Sequence, residues 1–385
     1  MSATIVTGFK LRITLFLLRM NILVIALSVY HDPIKAVQAL KALIRKKKAI
    51  LGSFTNSKLY HVGRRYYWSI ASVGWPSRSF HGFIRNELNK ALPFDAEKTG
   101  LQTIIFSITS RCPLHCEHCY EWNNLSAEET LSREQLEFIL SAMQTQGISN
   151  IQFSGGEPLS RFEELIHLVK LTKNDTDTWI LTSGFGLTPE RANSLKNAGL
   201  TGVVISLDHW DENEHNRFRS SDESFHWAME AAKNASTASM AVAFSLCAGR
   251  EFVNSDNLIK YLKLANSAGA GLIRILEPRD VGHYQGQDIE LSPEQIEILN
   301  QFYIKVNSDA AYSKMPLVEY TGYHQRISGC FGAGERYLYV DSIGDVHACP
   351  FCQNAVGNAL KEPVETLVTK LMSIGCHKFH QAKAQ

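Results

Sequence analysis

From residue 101 onward, short apolar runs rich in β-branched residues alternate with longer stretches of helical spacing. The runs at 102–109, 149–154, 178–183, 202–208, 240–246 and 271–277 lack the in–out alternation of a half-exposed strand, so they predict parallel strands buried on both faces. The stretches at 132–146, 161–173, 189–198, 224–235 and 255–268 predict helices between them. Ser132 followed by Gln135 has the form of a capping box, and Pro189 stands where a helix would open. Six β–α units in series imply a parallel sheet with right-handed crossovers, either an open doubly wound sheet or a barrel. In both, chemistry gathers beyond the C-terminal ends of the strands.

The flanking regions break this rhythm. Residues 11–29 are almost wholly apolar, interrupted by Arg12, Arg19 and Asn21. That makes a marginal membrane span, or a secretory signal with Ala26 and Ser28 as a poor cleavage site. Residues 34–48 set Ile34, Val37, Leu40 and Ile44 on one face and cations on the other, the pattern of helices that lie on anionic membranes. Peripheral membrane contact, a true span and a helical element packed on the protein are all open readings. Residues 60–92 interleave Arg64 and Arg65 with Tyr66, Tyr67, Trp68 and Trp75. Such a mixture can bind nucleic acid, but no RNA-binding fingerprint accompanies it, so it reads as a docking surface between domains, with no nucleic-acid partner. Near the C-terminus, 337–340, a turn at 341–345 and 346–348 predict a hairpin flanked by cysteines.

Composition changes the picture in two ways. The 385 residues are 45% hydrophobic and 20% charged, enough apolar material for a large core. The net charge of +1 conceals an asymmetry: residues 1–100 hold 16 Lys and Arg against 4 Asp and Glu, leaving an acidic body behind a basic front. A basic front suits an anionic surface, although a merely solvated face reads the same way. Seven of the eight cysteines fall into two compact groups, which reads as metal ligation rather than a disulfide framework. Ligating thiols imply a reducing compartment and argue against secretion.

The first group follows strand 102–109 as Cys112, Cys116 and Cys119, spaced C-x3-C-x2-C. Three thiolates on one loop can hold three corners of a [4Fe–4S] cube and leave the fourth iron open. A zinc site completed by His115 or His118, and unligated or disulfide-bonded thiols, are the alternatives. The spacing, with Tyr120 directly after it, resembles the signature of the radical S-adenosylmethionine (SAM) superfamily. The resemblance implies that the open iron chelates SAM. One electron then cleaves SAM to methionine and a 5′-deoxyadenosyl radical, which abstracts a hydrogen atom from substrate.

Other strand ends extend the resemblance. Gly155-Gly156-Glu157-Pro158 matches the family's GGEP motif, in which Glu157 would meet the SAM ammonium and the glycines would permit close backbone approach. An ordinary βα turn is the bland reading. Thr182-Ser183-Gly184 stands where the family often has Thr-Asn-Gly, with Ser183 offering a shorter reach. Ser206 and Asp208 match an SxD pattern near the SAM ribose, and alternation points both the same way; a structural Asp paired with Arg is the rival. Cys247 ends strand 240–246 and is a candidate hydrogen-atom donor, as in similar epimerases, or a small buried hydrophobe. Arg250 is a candidate contact for the SAM carboxylate or substrate. Glu277 and Arg279 fit a substrate site or a structural ion pair.

The second group is Cys330, Cys349, Cys352 and Cys376, around the predicted hairpin. Four thiolates can fully ligate a cluster or a zinc ion. Together with Val356-Gly357-Asn358 it resembles the auxiliary-cluster module called a twitch domain, the shortened relative of the SPASM domain. The resemblance implies a second [4Fe–4S] cluster, with His377 or substrate able to replace Cys376 as fourth ligand.

The expectations are therefore an α/β fold: a partial (β/α)6 TIM-type barrel over 101–315, a small C-terminal β-hairpin cluster module over 316–385, and a basic helical N-terminal extension over 1–100. The resemblance implies a cytoplasmic radical SAM enzyme served by a flavodoxin or ferredoxin, with membrane association through residues 11–48 left open. Peptide or protein modification ranks first and modification of a lipid or small molecule second. A non-catalytic iron–sulfur carrier or zinc scaffold is the rival of another class, disfavoured because a carrier needs neither an open iron nor a GGEP loop.

Overall fold

The computed structural model of the chain describes residues 3–51, 57–95, 101–125, 128–330, 332–374 and 376. The N-terminal region comprises β1 (Thr4–Val6), α1 (Gly8–Tyr30), α2 (Pro33–Leu51), β2 (Leu59–Val62), β3 (Arg65–Tyr67) and α3 (Arg78–Ala91). The alternating region runs β4 (Thr103–Ser107), α4 (Arg133–Thr145), β5 (Asn150–Ser154), α5 (Phe162–Leu171), β6 (Asp177–Thr182), α6 (Pro189–Ala198) and β7 (Gly202–Ser206). It continues with α7 (Glu212–Arg219), α8 (Ser224–Thr237), β8 (Ala241–Cys247), α9 (Ser255–Ser267), β9 (Leu272–Leu276) and α10 (Pro293–Ser308). The chain then forms β10 (Leu317–Tyr320), α11 (Thr321–Ser328), β11 (Tyr337–Val340), β12 (Asp345–His347), β13 (Gly357–Asn358) and α12 (Val364–Ile374).

Strands β4 to β10 lie side by side in chain order, every neighbour parallel, within a ten-stranded sheet. The six anticipated strands are all present. Phe106, Phe153, Ile180, Ile205 and Phe244 pack on the helix side of the sheet at 1% exposure or less, and Trp179, Val204, Ala241 and Ala243 are buried on its other face, which explains the unbroken apolar runs. Ser132 and Gln135 make the capping box on α4, and Pro189 opens α6 after the Thr188 cap.

Two strands join the sheet that the sequence pattern did not place there. β10 continues it in parallel past residue 315, carrying Glu319 in mid-strand. That carboxylate is tolerated because Arg274 of β9 lies 3.2 Å away, the Ile70 amide donates to it (3.0 Å), and Ser69 donates as well. On the other edge β11 pairs in parallel with β4, so the cysteine-flanked hairpin β11–β12 extends the barrel sheet. The sheet does not close, and a seam remains between β10 and the β11 side.

The N-terminal region is more than helical. β1, β2 and β3 form a three-stranded antiparallel sheet packed beneath the N-terminal ends of the barrel strands. Tyr60 fills the space above Gly271, where an added Cβ would come within 2.0 Å of its ring. Asp177, at the start of β6, accepts from Arg65 (2.8 Å), the Gly74 amide (2.9 Å) and Ser79 (2.7 Å). Lys58 is fully buried and donates to the carbonyls of Val306, Tyr312, Met315 and Pro316 at 2.9–3.0 Å. Helices α1, α2 and α3 pack around Ile25, Ala26, Ala36, Ala39 and Ile84. They stand at the open seam: α2 touches α11, and Glu87 of α3 pairs with Arg336 just ahead of β11 (2.8 Å). By length and composition α1 could cross a membrane.

Candidate active site

The C-terminal ends of the parallel strands open into a cavity of about 1950 Å³, lined by both groups of cysteines and by the inner sides of α1 to α3. Thr109, after β4, is tied by its hydroxyl to Glu129, and Arg161 holds the carbonyls of Ile108 (2.9 Å) and Leu131 (2.8 Å). This anchors the loop carrying Cys112, Cys116 and Cys119. Its far end is clamped by 282–284: the His283 amide donates to the Cys119 carbonyl (2.9 Å), and its ring stacks on Trp122 at 3.8 Å. Gly282 is required there, since a Cβ would come within 2.2 Å of the Cys119 carbonyl oxygen. All three thiols are free and line the cavity. Burial pushes Cys112 and Cys119 up to about 12, and pushes Cys116 up against the pull of Arg219.

The β5 turn packs directly on this loop. The Gly156 amide donates to the Thr109 carbonyl (2.8 Å) and the Glu157 amide to that of Arg111 (2.7 Å). A Cβ on Gly155 would meet the Thr109 oxygen at 2.5 Å, and one on Gly156 the Arg111 oxygen at 2.4 Å. The two glycines therefore let the turn approach the cysteine loop. Glu157 is 1% exposed and accepts four bonds: from Leu159 N (3.1 Å), Thr182 Oγ1 (2.7 Å), Ser183 N (2.7 Å) and Ser183 Oγ (2.6 Å). Burial raises its pKa, opposed by these donors. Ser183 is thus engaged with Glu157, and Tyr120 exchanges a hydrogen bond with Ser154 (3.1 Å) at the end of β5.

Beyond β7, Asp208 is 4% exposed and paired with Arg219 at the end of α7, at 2.5 Å and 2.7 Å. Burial works against the carboxylate, but Arg219, with His118 and His215, brings its pKa below the usual value. The other Asp208 oxygen accepts from the Cys247 amide (2.8 Å), while Arg219 Nη1 reaches Cys116 Sγ at 3.7 Å. Asp208 and Arg219 thus link the cysteine loop to the end of β8. Ser206 and the buried Cys247 line the same cavity, and burial raises the Cys247 thiol pKa. Arg250 lies outside: it pairs with Asp288 (2.5 Å) on the surface. Glu277 pairs with Arg326 (2.7 Å) and accepts from Tyr320 (2.7 Å), a structural use of that charge.

Sequence reasoning did not single out Arg219, Trp122, Gly282 or His283. Arg219 was the most findable, because a buried Asp at a strand end needs a cation and His215–Arg219 follows within a turn or two of chain.

The second group converges on the cavity from the β11–β12 side. Cys349 and Cys352 sulfurs are 3.3 Å apart, and Gln325 donates to Cys330 Sγ (3.6 Å). Cys376 interacts with both Cys330 and Cys352, and burial, followed by the four neighbouring thiols, raises the pKa of the half-buried Tyr337 well above its usual value. His377 lies outside the described residues. Among the described residues, no three His, Cys, Asp or Glu side chains close round a point tightly enough for a single ion. His115 is exposed, and His118 is stacked on Phe218 (4.9 Å) with burial lowering its pKa to about 4.

Residues 106–265 match the radical SAM superfamily. Those residues form a radical SAM domain. The chain is 29% identical over 275 residues to the PqqA peptide cyclase of Streptomyces rochei, covering 69% of this chain and 74% of the relative. It is 28% identical over 274 residues to the mycofactocin maturase MftC of Mycobacterium tuberculosis, covering 67% and 68%. In fold it is similar to Streptococcus suis SuiB, crystallised with the precursor peptide SuiA, at a TM-score of 0.59 and 15% identity, covering 89% of this chain and 80% of that one. The partial barrel is the fold shared with that structure, and a radical SAM domain implies a [4Fe–4S] cluster and SAM.

The residues present fit those groups. Three free thiols, Cys112, Cys116 and Cys119, share one loop and line one cavity, the donor set that three corners of such a cluster take.

Proposed function

We propose that this radical SAM enzyme modifies a peptide or protein, by crosslinking, epimerisation or a related reaction at an unactivated C–H bond. The observation that best supports it is the single cavity joining the cysteine triplet, the polar strand ends and the second cysteine group. The peptide-modifying relatives support the substrate class. When bound, the cluster and SAM supply a 5′-deoxyadenosyl radical that takes a hydrogen atom from substrate.

In this reading Cys112, Cys116 and Cys119 hold the catalytic cluster. Tyr120, Gly155, Gly156, Glu157, Ser183, Ser206 and Asp208 form the SAM wall. Glu157 fixes negative charge there, held rigid by its four donors, and Asp208 orients Arg219 against Cys116. Cys330, Cys349, Cys352 and Cys376 hold a second [4Fe–4S] cluster. Cys247 donates a hydrogen atom from S–H to the substrate radical. The thiyl radical left behind regains an electron from a flavodoxin or ferredoxin and a proton from solvent. The compartment is the reducing cytoplasm.

A second reading, modification of a lipid or other apolar small molecule, is favoured by one feature: the apolar cavity wall formed by Leu18, Ile22, Leu40 and Leu43.

Anaerobic reconstitution followed by reductant and SAM tests the proposal. Release of 5′-deoxyadenosine by the intact chain and its loss in Cys116→Ala are expected, with about eight irons per chain falling by about four in Cys349→Ala. No release under any reducing condition overturns the enzyme reading, and zinc in place of the second set of irons overturns the auxiliary cluster. A SAM-dependent mass change in a lipid extract but in no precursor peptide moves the substrate to the second reading.

A further inference from the structure

Helix α1 is apolar on two sides, and only one is used inside the molecule. Its inner side is committed: Ile25 and Ala26 are buried, Asn21 accepts from Trp75 Nε1 (3.0 Å), and the Tyr30 hydroxyl donates to the Leu88 carbonyl (3.0 Å). Its outer side presents Phe9, Ile13, Phe16, Met20, Val24 and Leu27, spaced four, three, four, four and three residues apart. Phe9 is 78% exposed, Phe16 61% and Val24 58%. This is a continuous stripe at the helical period along a 23-residue helix, unlike the scattered single apolar residues of an ordinary surface. On α2, Ile34 is 70% and Ile44 56% exposed.

Charge decides what covers it. The described part of this segment carries the exposed Lys10, Arg12, Arg19, Lys35, Lys41 and the run Arg45–Lys48, of which Arg19 and Lys46 to Lys48 also line the cavity mouth, and its single acid, Asp32, caps α2 by accepting from the Ile34 amide (2.8 Å). Among the described residues none of these cations has an ion-pair partner. A second copy of this face would bring like charges together, whereas an anionic bilayer takes the cations at its headgroups and the stripe below them. A span is disfavoured, because crossing the bilayer would require α1 to give up its bonds to Trp75 and Leu88.

We propose that the α1–α2 face docks the enzyme in the plane of an anionic lipid bilayer. The inner sides of the same helices line the reaction cavity, so docking sets the barrel seam against the membrane surface.

The test is co-flotation of the full chain with vesicles of phosphatidylcholine, with and without phosphatidylglycerol. The chain is expected to float with the anionic vesicles at low salt and to stay behind with zwitterionic ones. Replacing Arg45, Lys46, Lys47 and Lys48 together by Gln is expected to weaken binding at least about tenfold. Phe16→Ser with Val24→Ser is expected to abolish flotation with an unchanged melting temperature and unchanged 5′-deoxyadenosine release, since both side chains point away from the core. No flotation of the wild type, or flotation of the double variant at wild-type level, overturns the proposal. So does a wild-type dimer, seen by light scattering, that the double variant disperses without any vesicle binding.

Discussion

Gly156→Ala tests whether the GGEP turn and the cysteine loop form one mechanical unit. The new Cβ would lie 2.4 Å from the Arg111 carbonyl oxygen and 2.9 Å from that of Ser110. A tolerable C···O contact is about 3.3–3.6 Å, so backbone must retreat by roughly 1 Å. Neither oxygen sits on a flexible side chain, and the retreating segment immediately precedes Cys112. Overpacking of this kind costs about 1–3 kcal/mol, and straining the two hydrogen bonds across the junction adds about 0.5–1.5 kcal/mol each, for a total of roughly 2–6 kcal/mol. The assay pairs calorimetric melting of the cluster-free chain with iron and sulfide counts after anaerobic reconstitution. Both should fall. Gly249→Ala is the control, because nothing lies within 4 Å of its added Cβ. If Gly156→Ala melted like the control and took up full iron, the turn would have slack and the reasoning would fail.

Three further outcomes follow from buried groups. Arg219→Met strands the Asp208 carboxylate at 4% exposure and should cost about 3–5 kcal/mol in thermal unfolding, with Arg219→Lys partly restoring it; equal stability of Met and wild type would refute the pairing. Glu157→Gln keeps the shape but turns an NH2 toward donors that the carboxylate accepted, so about 2–4 kcal/mol and SAM affinity by equilibrium dialysis should both be lost; unchanged affinity would free Glu157 from any role at that wall. Lys58 is held down to about 8 by burial, so between about pH 8 and the normal lysine range the unfolded chain keeps a proton that the folded chain has released. Urea midpoints should therefore rise with pH across that window and decline as pH falls through about 8. The slope should vanish in Lys58→Met, which also loses about 3 kcal/mol by stripping four carbonyls of their donor. A slope shared by both would refute it.

The barrel was legible because burial on both faces writes itself as unbroken apolar runs, and helix starts as caps. β10 was not, since Leu317–Tyr320 is four residues long with Glu319 in the middle, and only its partner Arg274, far away in sequence, makes that acceptable. β11 was read as half of a hairpin, which it is, but pairing with β4 is a long-range choice that local pattern does not carry. At the site, motif spacing pointed to Cys112, Cys116, Cys119 and Glu157. What spacing could not convey is that Glu157 spends its lone pairs on Thr182 and Ser183, or that the glycines face the cysteine loop. Arg219 escaped notice because an arginine on a polar helix reads as solvated until the buried carboxylate beside it is seen.

The open seam explains why the basic front exists at all. A closed barrel would bury its edge strands against each other, whereas this sheet ends at β10 on one side and extends through β11 on the other. Something must cover the gap over the cavity, and α1, α2 and α3 do so, tied down by Glu87 to Arg336 and anchored beneath the sheet by Lys58 and Asp177. A wall helix needs one apolar side toward the cavity and core. α1 has a second, and a free-standing apolar stripe is a liability in water that an unpaired set of cations cannot remove. The pairing makes physical sense if the wall faces a surface that accepts both at once, so that the same segment that completes the reaction chamber also positions it.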